Sequence, residues 1–173
     1  MGDVLQIRRG VVSDAAELSA AAERWFRDTF APDNTAADMD AYCASAFSPA
    51  IQQALLADSA IETLLMHDGS GGLIAYAQLR TGAPEAIVLP SPIELWRFYL
   101  DRTQHGRGVA SRLMAAVDDA ARARGAATLW LGVWEKNLRA RAYYLKVGFA
   151  DIGTHEFRLG DDLQIDRIMS RFL

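Results

Sequence analysis

The chain carries a single cysteine, Cys43, in 173 residues. One cysteine cannot close an internal disulfide or build a cysteine-based zinc cluster. Histidine is almost as scarce. His67, His105 and His155 show no metal-ligand spacing, so no metal is expected. Long hydrophobic runs are missing too. No stretch approaches the roughly 18 consecutive apolar residues of a membrane helix. Residues 1–9 show no apolar signal region, and Asp3 interrupts them. The expectation is a cytoplasmic protein with no membrane partner. A positive balance is absent as well: the net charge is -4 and the pI is near 5.3. Nucleic-acid binding needs a basic face, so no nucleic-acid partner is expected. There is no internal repeat, linker or low-complexity segment.

What is present is an ordinary globular composition, 51% apolar and 23% charged. The length suits one domain over residues 1–173. Val4 to Arg8 alternates partly and reads as an edge strand. Ser13 or Asp14 caps a helix whose apolar stripe is Leu18, Ala21, Ala22, Trp25 and Phe26; Ala31-Pro32-Asp33-Asn34 ends it. A second helix is predicted from Met39 to about Ala46. Ser48-Pro49 opens a third helical segment. Ile61–Met66 and Leu73–Leu79 read as an antiparallel hairpin around Asp68-Gly69-Ser70-Gly71-Gly72. The strand Ile93–Leu100, a glycine turn and a helix to about Arg124 follow. Thr128–Trp134 is a strand and Asn137 to about Lys146 a helix. Thr154–Leu159 and Leu163–Phe172 are the last strands. The strand, helix, strand unit at 93–134 implies a parallel pair with a right-handed crossover, hence an α/β or α+β domain with a mixed sheet.

The stretch Leu100-Asp101-Arg102-Thr103-Gln104-His105-Gly106-Arg107-Gly108-Val109-Ala110 joins that strand to that helix. Glycine opens backbone angles closed to other residues and lets a ligand approach the backbone. A helix start offers unpaired N–H groups and a partial positive charge. The segment therefore reads either as a phosphate site built from the amides of residues 105–110 or as a short turn. A dinucleotide fingerprint is disfavoured, because Ser111 stands where its third glycine belongs. A Walker loop is excluded, because no G-K-[ST] occurs.

His105-Gly106-Arg107-Gly108-Val109-Ala110 resembles the acyl-coenzyme A motif [RQ]-x-x-G-x-[GA] of the GCN5-related N-acetyltransferase (GNAT) superfamily. It departs at the first position, where His105 replaces Arg or Gln. A later segment resembles the superfamily pattern N-x-x-A-x-x-x-Y-x-x-x-G-F, matched by Asn137, Ala140, Tyr144, Gly148 and Phe149. The resemblance implies the acyl-CoA N-acyltransferase fold, a central mixed and mostly antiparallel sheet flanked by helices. It implies acetyl-CoA as cosubstrate and the primary amine of a small molecule as acceptor, polyamines included. A homodimer is a common assembly in such enzymes.

The resemblance also implies roles. The backbone amides of His105, Gly106, Arg107, Gly108, Val109 and Ala110 would hold the pyrophosphate. Phe98, Tyr99 and Leu100 would pair with the pantetheine arm where two strands splay apart, and Asn137 would face the cofactor. Arg97, among apolar neighbours, suits a bulge. Acetyl transfer needs an amine that has lost a proton and a thiolate that gains one. Tyr144 is the implied acid, with Tyr143 expected to point elsewhere. Glu94 is the implied base, its alternatives being a cross-strand salt bridge or a substrate-orienting carboxylate. His105 lies beside phosphate, and His155 reads as a strand residue with catalysis as its alternative. Trp25, Phe26, Phe30, Trp96, Trp130 and Trp134 suit either an aromatic acceptor site or core. Asp33, Asp38 and Asp40 suit either attraction of an amine or a solvated face. Cys43 reads as a buried hydrophobe. Acetylation of a peptide or protein amine, and a non-catalytic acyl-CoA binding module, are the competing functions.

Overall fold

The computed structural model describes residues 5–85 and 87–173. Strand β1 is Gln6–Arg9; the predicted start at Val4 lies outside the described residues. Helix α1, Ala15–Phe30, buries the stripe Leu18, Ala21, Ala22, Trp25 and Phe26, at helical spacing. A proline-containing turn over Ala31–Asp33 stops it. Helix α2, Ala36–Phe47, begins three residues before the expected Met39, because Thr35 Oγ1 accepts the Asp38 N–H at 3.2 Å. Helix α3, Pro49–Ala57, starts where expected, with Ser48 as cap and Pro49 in the first turn.

Strands β2 (Ile61–His67), β3 (Leu73–Thr81) and β4 (Pro92–Leu100) form an antiparallel run with β1. Helix α4, Val109–Ala123, then crosses over to β5, Thr128–Trp134, which lies parallel to β4. Helix α5 is Leu138–Lys146, and β6 (Ala150–Leu159) and β7 (Asp162–Phe172) close the chain as a hairpin. The sheet order is β1-β2-β3-β4-β5-β7-β6. One pair is parallel and five are antiparallel, the mixed, mostly antiparallel sheet that was expected. Strand β6 begins at Ala150 rather than Thr154. An irregularity between Asp151 and Gly153 breaks the alternation that would have revealed its first half.

Two apolar cores cover the two faces of this sheet. Val109, Leu113, Met114, Val117 and Ala121 of α4 pack with Tyr144 and Phe149 against β2 to β5. Leu18, Ala22, Trp25 and Phe26 of α1 pack with Met39, Cys43 and Phe47 of α2 on Leu65, Tyr76 and Trp134. Truncating a fully buried member such as Leu113 to alanine typically costs about 2–5 kcal/mol.

Two irregularities open this layered fold. The parallel β4–β5 register holds for three pairs, ending at Glu94 opposite Trp130. Beyond it, residues 95–100 and 131–134 have no partner across that gap. The β3–β4 register also shifts: Gln78 faces Arg97 and Leu79 faces Leu95, so Trp96 is the extra residue of a bulge. The predicted bulge thus lies one residue before Arg97.

Candidate active site at the opening between two central strands

Two cavities meet at the splayed strands. The larger, about 540 Å³, is bounded by Phe98, Tyr99, Leu100 and the 102–111 segment on one side and α5 on the other. The smaller, about 290 Å³, lies toward α2, β6 and β7. Phe98, Tyr99, Asn137, Ala140 and Tyr144 line both.

The floor of the larger cavity follows from the glycine turn. Gly106 and Gly108 have φ of +76° and +78°, a region that L side chains rarely adopt. Gly108 caps α4 in this conformation, so the first turn of a 15-residue helix opens beside the cavity. Its leading N–H groups have no carbonyl one turn back, and they attract negative charge. Arg102, Arg139 and Lys146 add positive charge along the walls. His105 lines the same cavity, and burial, then Arg139 and Arg102, push its pKa down. It therefore offers one N–H rather than a further cation. The site suits an anionic, phosphate-bearing ligand with a long neutral arm entering the strand gap.

The predicted residues divide in this geometry. Phe98, Tyr99, Leu100, His105, Gly106, Gly108, Ala110, Asn137 and Tyr144 all line the larger cavity. Val109 is buried beneath it in the core, and the Arg107 side chain is exposed outside the lining. Only the main chain of these two is placed to take part. Tyr143 departs from expectation: it does not point elsewhere but lines the cavity, with its ring stacked on Phe98 at 6.0 Å. Burial pushes its phenol up to about 12. Arg139, Tyr143 and Lys146 are spaced i, i+4, i+7, so a helical projection of α5 already puts them on one face beside Ala140 and Tyr144.

Tyr144 stands at the junction. It is buried, it contacts Phe98 and Phe149 edge-on, and burial raises its pKa. The phenol therefore stays protonated through the neutral range and remains a proton donor. Asn137 caps α5 by accepting the Ala140 N–H at 3.1 Å, and its side-chain NH2 has no acceptor among the described residues.

The smaller cavity holds the remaining chemistry. Glu94 lines it, but both its oxygens meet Arg80 across β3 and β4, with Nη2 at 3.1 Å from Oε1. The cross-strand salt bridge is the alternative that the structure realises for this residue. Phe26, Phe30, Trp96 and Trp134 line the cavity, whereas Trp25 lines the larger one and Trp130 donates its indole N–H to Gly82 O at 2.8 Å. Asp40 is exposed and held by Arg27, and Asp38 is half-buried and held by Thr35. Cys43 is buried in the α1–α2 core, and burial raises its thiol pKa.

Gly132, His155 and Asp166 also line the smaller cavity. Sequence reasoning singled out His155 but passed over the other two. No local pattern marked them, because β7 turns the polar Gln164 and Asp166 inward and leaves the apolar Leu163 and Ile165 on its less buried face.

Comparison with known proteins agrees with this geometry. Residues 19–149 match the Acetyltransferase (GNAT) family. The chain is 36% identical over 166 residues to an uncharacterised N-acetyltransferase of Mycobacterium tuberculosis, covering 94% of this chain and 99% of that one. A second uncharacterised N-acetyltransferase, from Lactobacillus delbrueckii subsp. lactis, is 29% identical over 92% of each chain. Among solved structures, the PaiA N-acetyltransferase of Thermoplasma acidophilum in complex with coenzyme A has the same fold. Its TM-score is 0.79 at 18% identity, with both chains covered completely. A GCN5-related N-acetyltransferase from Rhodopseudomonas palustris gives 0.75 at 21% identity over 100% of this chain and 99% of that one. The strand gap, the glycine turn before α4 and the family match together identify the chain as a member of the GNAT family of acetyltransferases, with the acyl-CoA fold of that family.

Proposed function

We propose that the enzyme transfers an acetyl group from acetyl-CoA to the primary amine of a small molecule, by direct attack in a ternary complex. The carrying observation is that two cavities of different character share Tyr144. The larger suits acetyl-CoA, with pyrophosphate at the amides of residues 105–110 and the pantetheine arm along residues 98–100. The coenzyme A in the PaiA complex supports that choice of ligand.

Acetyl-CoA brings an activated acyl group: as a bond forms from the amine nitrogen to the carbonyl carbon, the carbon–sulfur bond breaks and sulfur leaves as thiolate. Tyr144 lines that junction and protonates the sulfur: a phenol keeps its proton at neutral pH, so the donor is loaded when the thiolate forms. The Asn137 NH2 is a free donor at the same junction. No nucleophilic thiol stands by, since the only cysteine is buried in the α1–α2 core. That supports attack by the amine itself rather than an acetyl-enzyme.

The acceptor cavity favours a small molecule over a peptide. Tyr42 of α2 meets Phe157 of β6 with ring centroids 5.6 Å apart, so the two elements close over it. A polyamine is the narrower expectation. Asp166 supports it, while the guanidinium groups of Arg80 and Arg97 in the same cavity weigh toward an acceptor with one cationic end.

The test is an acceptor screen at neutral to mildly alkaline pH, following thiol release from acetyl-CoA with polyamines, arylalkylamines, aminoglycosides, amino acids and short peptides. Saturable release with one small-amine class is expected. Turnover confined to peptides would replace the small-molecule reading, and tight coenzyme A binding with no turnover on any amine would favour a binding module.

A further inference from the structure

Asp166 is a buried carboxyl group that takes no part in the bond changes of the transfer. It is 9% exposed, in the middle of β7, and it lines the acceptor cavity. Its Oδ1 is buried with no hydrogen-bond partner among the described residues. No arginine or lysine pairs with it there; the nearest basic group is His155, its cross-strand neighbour on β6, with Nε2 at 3.8 Å from Oδ2. Its other cross-strand neighbour is Trp134 on β5.

Gly132 makes room for this pair. A Cβ at residue 132 would lie 2.6 Å from His155 Cε1 and 3.3 Å from Asp166 Oδ2. A side chain there would press on both groups, so the missing one is what lets them reach the cavity. His155 is half-buried, its side chain 39% exposed against 12% for Asp166. The pair therefore runs from the cavity toward solvent.

Resting on the acyl-transfer reading above, we propose that Asp166, rather than Glu94, accepts the proton of the acceptor ammonium group, and that His155 carries that proton out to water. Glu94 already has its charge satisfied by Arg80. Among the described residues Asp166 has no arginine or lysine partner and has an empty acceptor oxygen, which is the arrangement an incoming ammonium group completes. Burial holds its carboxyl up at about 7, high for a carboxyl group and suited to proton exchange near neutral pH. The charged and titratable groups facing it are His155 on β6 and Tyr42 on α2. Across the cavity stand the Arg80–Glu94 pair, Arg97, and the phenols of Tyr99 and Tyr144.

The protons balance. The ammonium group gives one proton to the Asp166 carboxylate, and the neutral nitrogen attacks the thioester carbon. The carbon–sulfur bond breaks with its electron pair on sulfur, which takes the Tyr144 proton. The surplus proton on the new amide nitrogen returns to the Tyr144 oxygen. The proton on Asp166 leaves through His155, 3.8 Å away, by way of one bridging water. The net products are the amide, the free thiol and one proton in solution.

The experiment compares wild type with Asp166→Asn and Glu94→Gln, using acetyl-CoA with phenethylamine and with spermidine. Coenzyme A affinity is measured by calorimetry as a check on folding. Asp166→Asn is expected to bind coenzyme A as wild type does and to lose about a hundredfold in kcat/KM. The acidic limb near pH 7 should vanish, and its rate should then rise toward the amine's own pKa. Glu94→Gln is expected to retain the limb. Carbon-13 spectra of aspartate-labelled protein should show one carboxyl titrating near neutrality, absent from Asp166→Asn. His155→Asn is expected to lower kcat and to be rescued by added imidazole; no rescue would remove His155 from the route. An active wild type whose Asp166→Asn variant keeps both rate and limb overturns the inference alone. A wild type inactive on both amines and on every class in the acceptor screen overturns the acyl-transfer reading and the inference with it.

Discussion

Arg80 grips both carboxylate oxygens of Glu94 from the neighbouring strand, and its guanidinium also lies 4.3 Å from the Trp96 ring centroid. The bulge at Trp96 makes this stacking available. A carboxylate held this way is part of the cavity wall. Arg80→Ala leaves Glu94 buried with no cation, and is expected to destabilise the fold by about 1–3 kcal/mol in denaturant unfolding. A change below about 0.5 kcal/mol would show that solvent already screens the pair.

Tyr144→Phe removes the proton donor and keeps the ring that packs on Phe98 and Phe149. Turnover is expected to fall by roughly 10²–10⁴ while coenzyme A affinity stays within about twofold. Unchanged turnover across the pH range would sink the acid assignment.

Gly108→Val places a β-branched side chain at φ +78°, where no contact crowds it but the backbone itself is strained. About 1–3 kcal/mol of strain is expected, which the chain relieves by distorting the first turn of α4. Coenzyme A affinity should fall by about tenfold or more, with helix content retained by circular dichroism. Wild-type affinity in calorimetry would reject the phosphate site.

Gly132→Ala probes the acceptor side alone. The added methyl group meets His155 Cε1 at 2.6 Å and Asp166 Oδ2 at 3.3 Å, so the pair must shift. The expected outcome is a kcat/KM for the amine lowered about tenfold with an unaltered Kd for coenzyme A. A loss of coenzyme A binding would mean that the two cavities are not separable in this way.

Asp166 also predicts how stability depends on pH. Its carboxyl sits at about 7 when folded and near 4 when unfolded. The folded state thus holds the proton more tightly. Between about pH 4 and 7 this group makes stability fall as pH rises, and above 7 the cost is constant. Asp166→Asn removes that cost. Its Tm is expected to exceed wild type at pH 8, with the advantage shrinking toward pH 4. An equal or lower Tm at pH 8 would show that the carboxylate has a partner in solution.

Much of this was legible before the structure. The periodicity of residues 18–26 and 109–121 placed two helices and their buried faces, because a one-sided apolar stripe has few other solutions. The pairs Ser48-Pro49 and Gly106-x-Gly108 placed helix starts through cap chemistry that is local in sequence. Strand β5 matched at both ends, since Thr128–Trp134 is apolar and flanked by breakers. Contacts far apart in sequence were harder to see. Nothing local pairs Arg80 with Glu94, and only the register of β3 with β4 does so. Asp166 escaped notice for the same reason: Gly132, His155 and Asp166 come from three strands that meet only in the folded sheet. Tyr143 was misread because its neighbour Tyr144 carried the motif, and both face a cavity wide enough to take two adjacent residues of α5.

In the proposed reaction the amine attacks acetyl-CoA directly where the two cavities meet. The most direct test is an initial-rate matrix, varying acetyl-CoA against the amine that the acceptor screen returns. Direct attack in a ternary complex predicts double-reciprocal lines that intersect, together with one N-acetylated product per thiol released. Parallel lines with an acetyl group trapped on the protein would contradict it, and would require a nucleophile other than the buried Cys43.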